Sequence, residues 1–220
     1  MRIGIIFTGI IEEYFIDDFI SLYGNIDNEY CKIVSTWDYT DQKIIDVLNS
    51  NGFHVVLSHF PESIHKTSAN YQLFSYKMGV EFAINNQITH VFQTRSDMYI
   101  NDIQKLLTIY KSIYCGKPIF LGSFDHMGGY LFNYAYFIPV DFLSDVPNIY
   151  QSYDDSRFPE KYLQELFFGT SDIFVIMNRV SFSIYQLIEN NVEIGFLKQC
   201  YRDQGNVLYR YIQCRLLNAP

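Results

Sequence analysis

Apolar and polar positions alternate along the first half of the chain in blocks that read as strand, loop, helix and strand again. Residues 2 to 8, RIGIIFT, are an apolar run ending at Thr8-Gly9, which predicts a buried strand leading into a loop. From Phe15 to Leu22 apolar residues recur at mixed helical spacing. YCKIVSTW, residues 30 to 37, reads as a second strand, and DQKIIDVLNSNG as an amphipathic helix stopped by Gly52. FHVVLSHF, residues 53 to 60, reads as a third strand closed by Pro61.

After a polar loop over 61 to 69, helical spacing runs from Asn70 to Asn85. Tyr71, Phe74, Met78 and Phe82 fall at i, i+3, i+7 and i+11, a stripe expected to lie on the sheet. VFQTRSDMYI, residues 91 to 100, reads as strand four. Asn101 or Asp102 is placed to cap the next helix, whose apolar face is Ile103, Leu106, Leu107 and Tyr110. PIFLGSF reads as a fifth strand. The second half is less regular. GGYLFNYAYFIPVDFL suggests a strand turning into a short helix, SRFPEKYLQELFF a helix, and DIFVIMNRVSF a strand before further helices.

Strands separated by helices of this length require right-handed crossovers, hence a mainly parallel sheet in a three-layer α/β/α domain. Ligands of such sheets bind beyond the carboxyl ends of the strands. Those ends are Thr8-Gly9, Ser35-Thr36-Trp37-Asp38, Ser58-His59 and Arg95-Ser96-Asp97, all polar, and they are expected to line one rim. No repeat, low-complexity tract or linker divides the 220 residues, so one domain is expected. A more regular half covers about residues 1 to 115 and a less regular one about 116 to 220.

Composition then narrows the chemistry. The net charge of -8 and the absence of any Lys/Arg run exclude a surface built to grip nucleic acid. Cys31, Cys115, Cys200 and Cys214 are scattered, with no CxxC pair, which disfavours a zinc site and suits thiols in a reducing compartment. The N-terminal run reads as a strand rather than a signal peptide, and nothing approaches the roughly 20 apolar residues of a membrane span. A cytoplasmic location is expected. GxGxxG after strand one, GxxxxGK[ST], GxSxG and HExxH are all missing, against dehydrogenase, P-loop, α/β-hydrolase and zinc-protease readings.

The triplet Arg95-Ser96-Asp97 is the leading chemical candidate. A strand-end carboxylate such as Asp97 can hold a divalent cation through oxygen contacts, and that cation would neutralise a diphosphate leaving group. Arg95 can pair with a phosphate or ribose, or orient Asp97. The bland alternative is an Arg–Asp pair that braces the following helix.

Taken with its surroundings, the chain resembles the WavE-like lipopolysaccharide-synthesis glycosyltransferases, which have the GT-A nucleotide-sugar fold. Four pieces carry the resemblance, in order: IVSTWDY at 33 to 39, NYQLFSYKMGVEFA at 70 to 83, VFQTRSDMYI, and LFFGTSDIF at 166 to 174. It covers most of residues 1 to 180. Arg95 departs from the fold's usual Asp-x-Asp, leaving Asp97 as the one carboxylate of that triplet.

The resemblance implies transfer of a sugar from a nucleotide-sugar donor to a glycan or lipid-linked glycan acceptor, with possible peripheral membrane association. Mn²⁺ or Mg²⁺ is the implied cofactor, dispensable if two carboxylates are required. The nucleotide would lie against Phe7-Thr8-Gly9 and Ser35-Thr36-Trp37, with Thr36 and Asp38 near base and ribose. Trp37 either stacks on the base or packs between sheet and helix. Asn70 either bonds the nucleotide or caps its helix, and Lys77 either reaches a phosphate or is solvated. An inverting transfer needs a general base, for which Asp125, His126 and Asp172 are the candidates and Glu160 a competitor. Two other classes stay open: a sugar nucleotidyltransferase, and a non-catalytic domain that keeps the fold.

Overall fold

The computed structural model describes residues 1–59, 69–120 and 135–143, together with 165, 168, 169, 179, 181, 182, 189–192 and 194–196. Four parallel strands form its centre: β1 (Ile3–Thr8), β2 (Cys31–Trp37), β3 (His54–Ser58) and β4 (His90–Arg95). Helices α1 (Ile16–Tyr23), α2 (Gln42–Ser50) and α3 (Ala69–Asn85) connect them. β5 (Met98–Ile100) and α4 (Ile103–Ile113) follow, then β6 (Ile119–Phe120), β7 (Ala135–Pro139), β8 (Ser181–Phe182) and β9 (Ile194–Phe196). The large sheet has the order β3-β2-β1-β4-β7-β6-β8, and β5 pairs with β9 apart from it.

Connection handedness explains the layers. β1 to β2 to β3 steps outward in one direction, so right-handed crossovers put α1 and α2 on the same face. β3 to β4 returns across β1 to the other side, and the same handedness puts α3 on the opposite face. The core divides accordingly. Phe15, Phe19, Tyr23, Leu48, Leu106 and Tyr110 pack with Ile5, Phe7, Val34 and Phe92 on one face. Tyr76, Val80 and Ala83 pack with Ile6, Ile33 and Val91 on the other. The three-layer α/β/α expectation is met.

One strand expectation is corrected. Residues 91 to 100 are not one strand: the ladder ends at Arg95, turns over Ser96-Asp97, and restarts as β5 in the second sheet. The large sheet is mainly parallel, as expected, with β7 inserted between β4 and β6 antiparallel to both.

The stripe on α3 is also corrected. Its sheet face is Ser75, Tyr76, Gly79, Val80 and Ala83, all buried, while Phe74, Met78 and Phe82 are half-buried to the side. Phe74 stacks on Trp37 and Phe82 lies 5.4 Å from the His54 ring. Small residues at 75, 79 and 83 let the helix backbone approach the strands, and the large aromatic rings wedge its flanks. A Cβ on Gly79 would stand 2.7 Å from Ile6 Cγ2.

The structure otherwise follows the local signals. Asp41 caps α2 through the Lys43 amide, and Asp102 caps α4 through the Lys105 amide at 2.9 Å. Gly52 leaves α2 with φ +76°. The buried Lys32 on β2 donates from Nζ to the carbonyls of Gly24 and Asn51, both at 2.7 Å, which lie at the ends of α1 and α2. One ammonium thus satisfies carbonyls at the negative ends of two helices.

Gly79→Val is expected to cost about 1–3 kcal/mol through overpacking against β1, seen as a lowered urea midpoint. Lys32→Met should lower stability by about 1–3 kcal/mol, since it keeps the apolar stem but leaves two carbonyls unpaired. The same denaturation series reads both.

Candidate functional site

The strand order reverses between β1 and β4, so their carboxyl ends open onto the switch point where doubly wound sheets bind ligands. Register places Thr8 level with Ser35 of β2 on one side and Arg95 of β4 on the other. Three of the expected rim positions are therefore one row.

Beyond that row the chain is tightly sewn. Gly9 has φ +110°, and its amide donates to the Ser35 carbonyl and to Ser75 Oγ. Ser75 Oγ donates to the Ser35 carbonyl and Ser35 Oγ to the Ser75 carbonyl, each at 2.6 Å. The Ser96 amide reaches Thr8 O, and its hydroxyl donates to Ile10 O at 2.7 Å. The exit loop of β1 and the turn after β4 are thus held as one unit. Tyr23 anchors the far side of that turn: its buried hydroxyl donates to Met98 O and accepts from the Ile100 amide. Burial pushes the Tyr23 phenol far up, so it stays a neutral donor.

Arg95 and Asp97 face each other across this turn. Nε donates to one carboxylate oxygen at 2.8 Å and an Nη to the other at 2.6 Å, a two-point fork. Asp97 is 4% exposed, whereas the Arg95 side chain keeps 30% of its surface in solvent. The pair is therefore lopsided, a buried anion held by a cation that reaches the surface. Below it, Gln93 Nε2 donates to Thr8 Oγ1 and the Thr94 carbonyl, while buried Gln93 Oε1 and Thr94 Oγ1 have no partner among the described residues.

Along β2 the rim continues differently. Thr36 is buried with its hydroxyl 3.1 Å from that of Thr40. The Asp38 amide bonds Ser58 O, and its carboxylate meets exposed His59 Nδ1 at 2.5 Å.

Thr8, Gly9, Ser35, Arg95 and Asp97 are brought together, and Thr36 and Asp38 extend the same edge. The Phe7 ring lies wholly in the core with Phe19, Tyr23 and Phe53, and its backbone is paired to β2 and β4 on either side, so it supports the rim rather than meeting a ligand. Trp37 is 2% exposed and stacked on Phe74, which decides for packing between sheet and helix. Lys77 is largely covered rather than solvated and stands 3.8 Å from Glu81, one turn on. Asn70 belongs to α3, and its side chain lies outside what the structure describes. Asp125, His126, Asp172 and Glu160 lie outside the described residues. His59 and Ser96 stand at the rim as the strand-end pattern expected, whereas Ser75 and Gln93 join the site without having been singled out by it. The small-residue spacing 75, 79, 83 was the signal for Ser75.

Among the described residues, the groups at the β1–β4 rim do not fit a divalent cation. The Asp97 carboxylate has the Arg95 guanidinium fixed across both oxygens, placing a positive charge where a metal would have to approach. Among the described residues no group of three or more His, Cys, Asp or Glu side chains is assembled.

Comparison with known proteins bears on the fold. The chain is similar to a glycosyltransferase involved in the glycosylation of the major capsid of PBCV-1, with TM-score 0.51 and 12% identity over 97% of this chain and 100% of that one. The fold is GT-A-like. Weaker likeness extends to a cytidylyltransferase from Leptospira borgpetersenii serovar Hardjo-bovis, TM-score 0.41 and 12% identity over 77% of this chain and 69% of that one. A mannose-1-phosphate geranyltransferase from Thermus thermophilus gives 0.42 and 11%, over 86% and 71%. Those two scores are too low to carry weight. No family model and no curated protein matches the sequence.

Lopsided burial predicts an asymmetry between partners. Arg95→Ala should destabilise by about 3 kcal/mol, because it strips a buried carboxylate of its guanidinium. Asp97→Ala should cost about 1 kcal/mol, because water can solvate the guanidinium left behind. Equal losses in chemical denaturation would contradict this geometry.

Proposed function

We propose that the chain is a nucleotide-sugar-dependent glycosyltransferase that transfers a sugar to a surface glycan, lipopolysaccharide or related polysaccharide acceptor. The observation that carries the reading is the Arg95-Ser96-Asp97 turn, which stands at the switch point of a GT-A-like sheet, in register with Thr8 and Ser35. The similarity in fold to a glycosyltransferase along almost the whole chain supports it. The four short motifs that resemble the WavE-like group support the finer assignment.

In this reading the donor diphosphate lies over the ends of β1 and β4, and base and ribose extend toward Thr36 on β2 and Asp38 just beyond it. Arg95 meets the diphosphate, and Asp97 holds Arg95 in place. A nucleotidyltransferase is disfavoured, because FTGIIEEYF after β1 supplies neither the glycine-rich nor the basic loop that phosphate capture there needs.

A thermal-shift screen of UDP-, GDP-, CMP- and dTDP-sugars tests the reading. A ligand that binds only the folded state raises the midpoint, by about 2.7 kcal/mol of added stability at a hundredfold excess over Kd. One nucleotide class should raise it and the others should not. A flat response to the whole panel would leave the non-catalytic reading standing.

A further inference from the structure

We propose that Arg95 takes the place of a divalent cation in this site, so that a nucleoside diphosphate binds without metal. The inference rests on the glycosyltransferase reading and concerns how the same site meets its anion.

Three observations carry it. First, the position is one where a ligand is expected, at the switch point between β1 and β4, and the Arg95 side chain keeps 30% of its surface in solvent. Second, the guanidinium is already held in a fixed orientation, by a fork to Asp97 of 2.8 and 2.6 Å. The turn carrying it is itself pinned by the Ser96 amide to Thr8 O and the Ser96 hydroxyl to Ile10 O. A guanidinium stays charged throughout the accessible pH range and matches phosphate oxygens in a planar fork. Third, the acidic residue that would hold a metal is the one that holds Arg95. A dication brought to Asp97 would have to displace that guanidinium or share the carboxylate with it, cation against cation.

Three neighbouring backbone donors are already committed. The amides of Gly9, Asp38 and Ser96 are all engaged within the fold, by Ser35 O and Ser75 Oγ, by Ser58 O and by Thr8 O respectively. These three amides are therefore not the donors an anion would meet first, and among the described residues Arg95 is the side-chain cation at the end of β4, level with Thr8 of β1.

Isothermal titration with UDP, GDP, CDP and dTDP, each in excess EDTA and again with Mn²⁺ or Mg²⁺, tests the proposal on the unmodified chain. The expected result is one diphosphate binding with a Kd that EDTA and metal leave the same within about twofold. Arg95→Lys, which keeps the charge but loses the fork, should weaken that binding by about tenfold. Asp97→Asn, which keeps the shape but loses the charge that orients Arg95, should weaken it by about threefold and remain indifferent to metal. Thermal melts of both variants check that each is folded. Binding that requires Mn²⁺ or Mg²⁺ overturns the proposal and leaves the glycosyltransferase reading intact. Metal-independent binding untouched by a folded Arg95→Lys also overturns it. Failure of all four diphosphates under both conditions overturns this proposal and the glycosyltransferase reading together.

Discussion

Everything at the rim hangs from how β1 ends. This strand is hydrogen-bonded along both edges, to β2 and to β4, and is covered on both faces by helices. Its residues from Ile3 to Thr8 are all buried. A strand so enclosed cannot bend to accommodate a loop, so the loop must accommodate the strand. Gly9 does this with φ +110°, and the space beside it is closed by Ser96 Oγ, 3.2 Å from where a Cβ would stand. The parallel ladder then continues for one more bond, Ser96 N to Thr8 O, and the turn after β4 inherits its position from β1.

A second constraint is electrostatic. Asp97 sits almost fully buried, where an isolated carboxylate would be costly, and the fold answers with a guanidinium in two-point contact. Lys32 shows the same habit at the opposite end of β2, where one buried ammonium meets two helix-end carbonyls. Both charges lie in pairings that water could supply only poorly. They differ in what remains outside: Lys32 is enclosed, whereas Arg95 reaches solvent.

Much of the fold was legible because its signals are local. Alternating strand and helix patterns, Asp41 and Asp102 as caps and Gly52 as a stop all act within a few residues. The carboxyl-end rule then located Thr8-Gly9 and Arg95-Asp97 before any geometry. What was not legible depends on distant partners. The sheet-facing side of α3 escapes the pattern because a hydrophobic stripe reports size and polarity, whereas the surface against Ile6 demands smallness, met by Ser75, Gly79 and Ala83. RSDMYI reads as strand because each residue tolerates that conformation. Only pairing of Met98–Ile100 with Ile194–Phe196, almost a hundred residues away, shows that the ladder breaks. Position along their strands draws Trp37 and Phe7 toward the nucleotide, but side-chain direction in a strand alternates, and both point into the helical layers.

The engaged amides sharpen what chemistry the site can do. In many phosphate sites a glycine-rich turn leaves several backbone N–H groups aimed at the anion, so binding energy is spread over donors that no single substitution removes. Here the amides of Gly9, Asp38 and Ser96 are held by carbonyls and by Ser75. They contribute rigidity to the rim. Under the proposed function, affinity would then rest more on side chains, and their orientation would matter more than their number. A guanidinium locked by Asp97 loses less freedom on meeting a phosphate than a mobile lysine would, and it cannot be deprotonated. Its single charge is less than that of a divalent ion, so it can position a diphosphate more readily than it can draw off the full charge of a departing one. Under the proposed function, a site built this way would favour donor binding and orientation, and stabilisation of the leaving group would fall to residues beyond the β1–β4 junction.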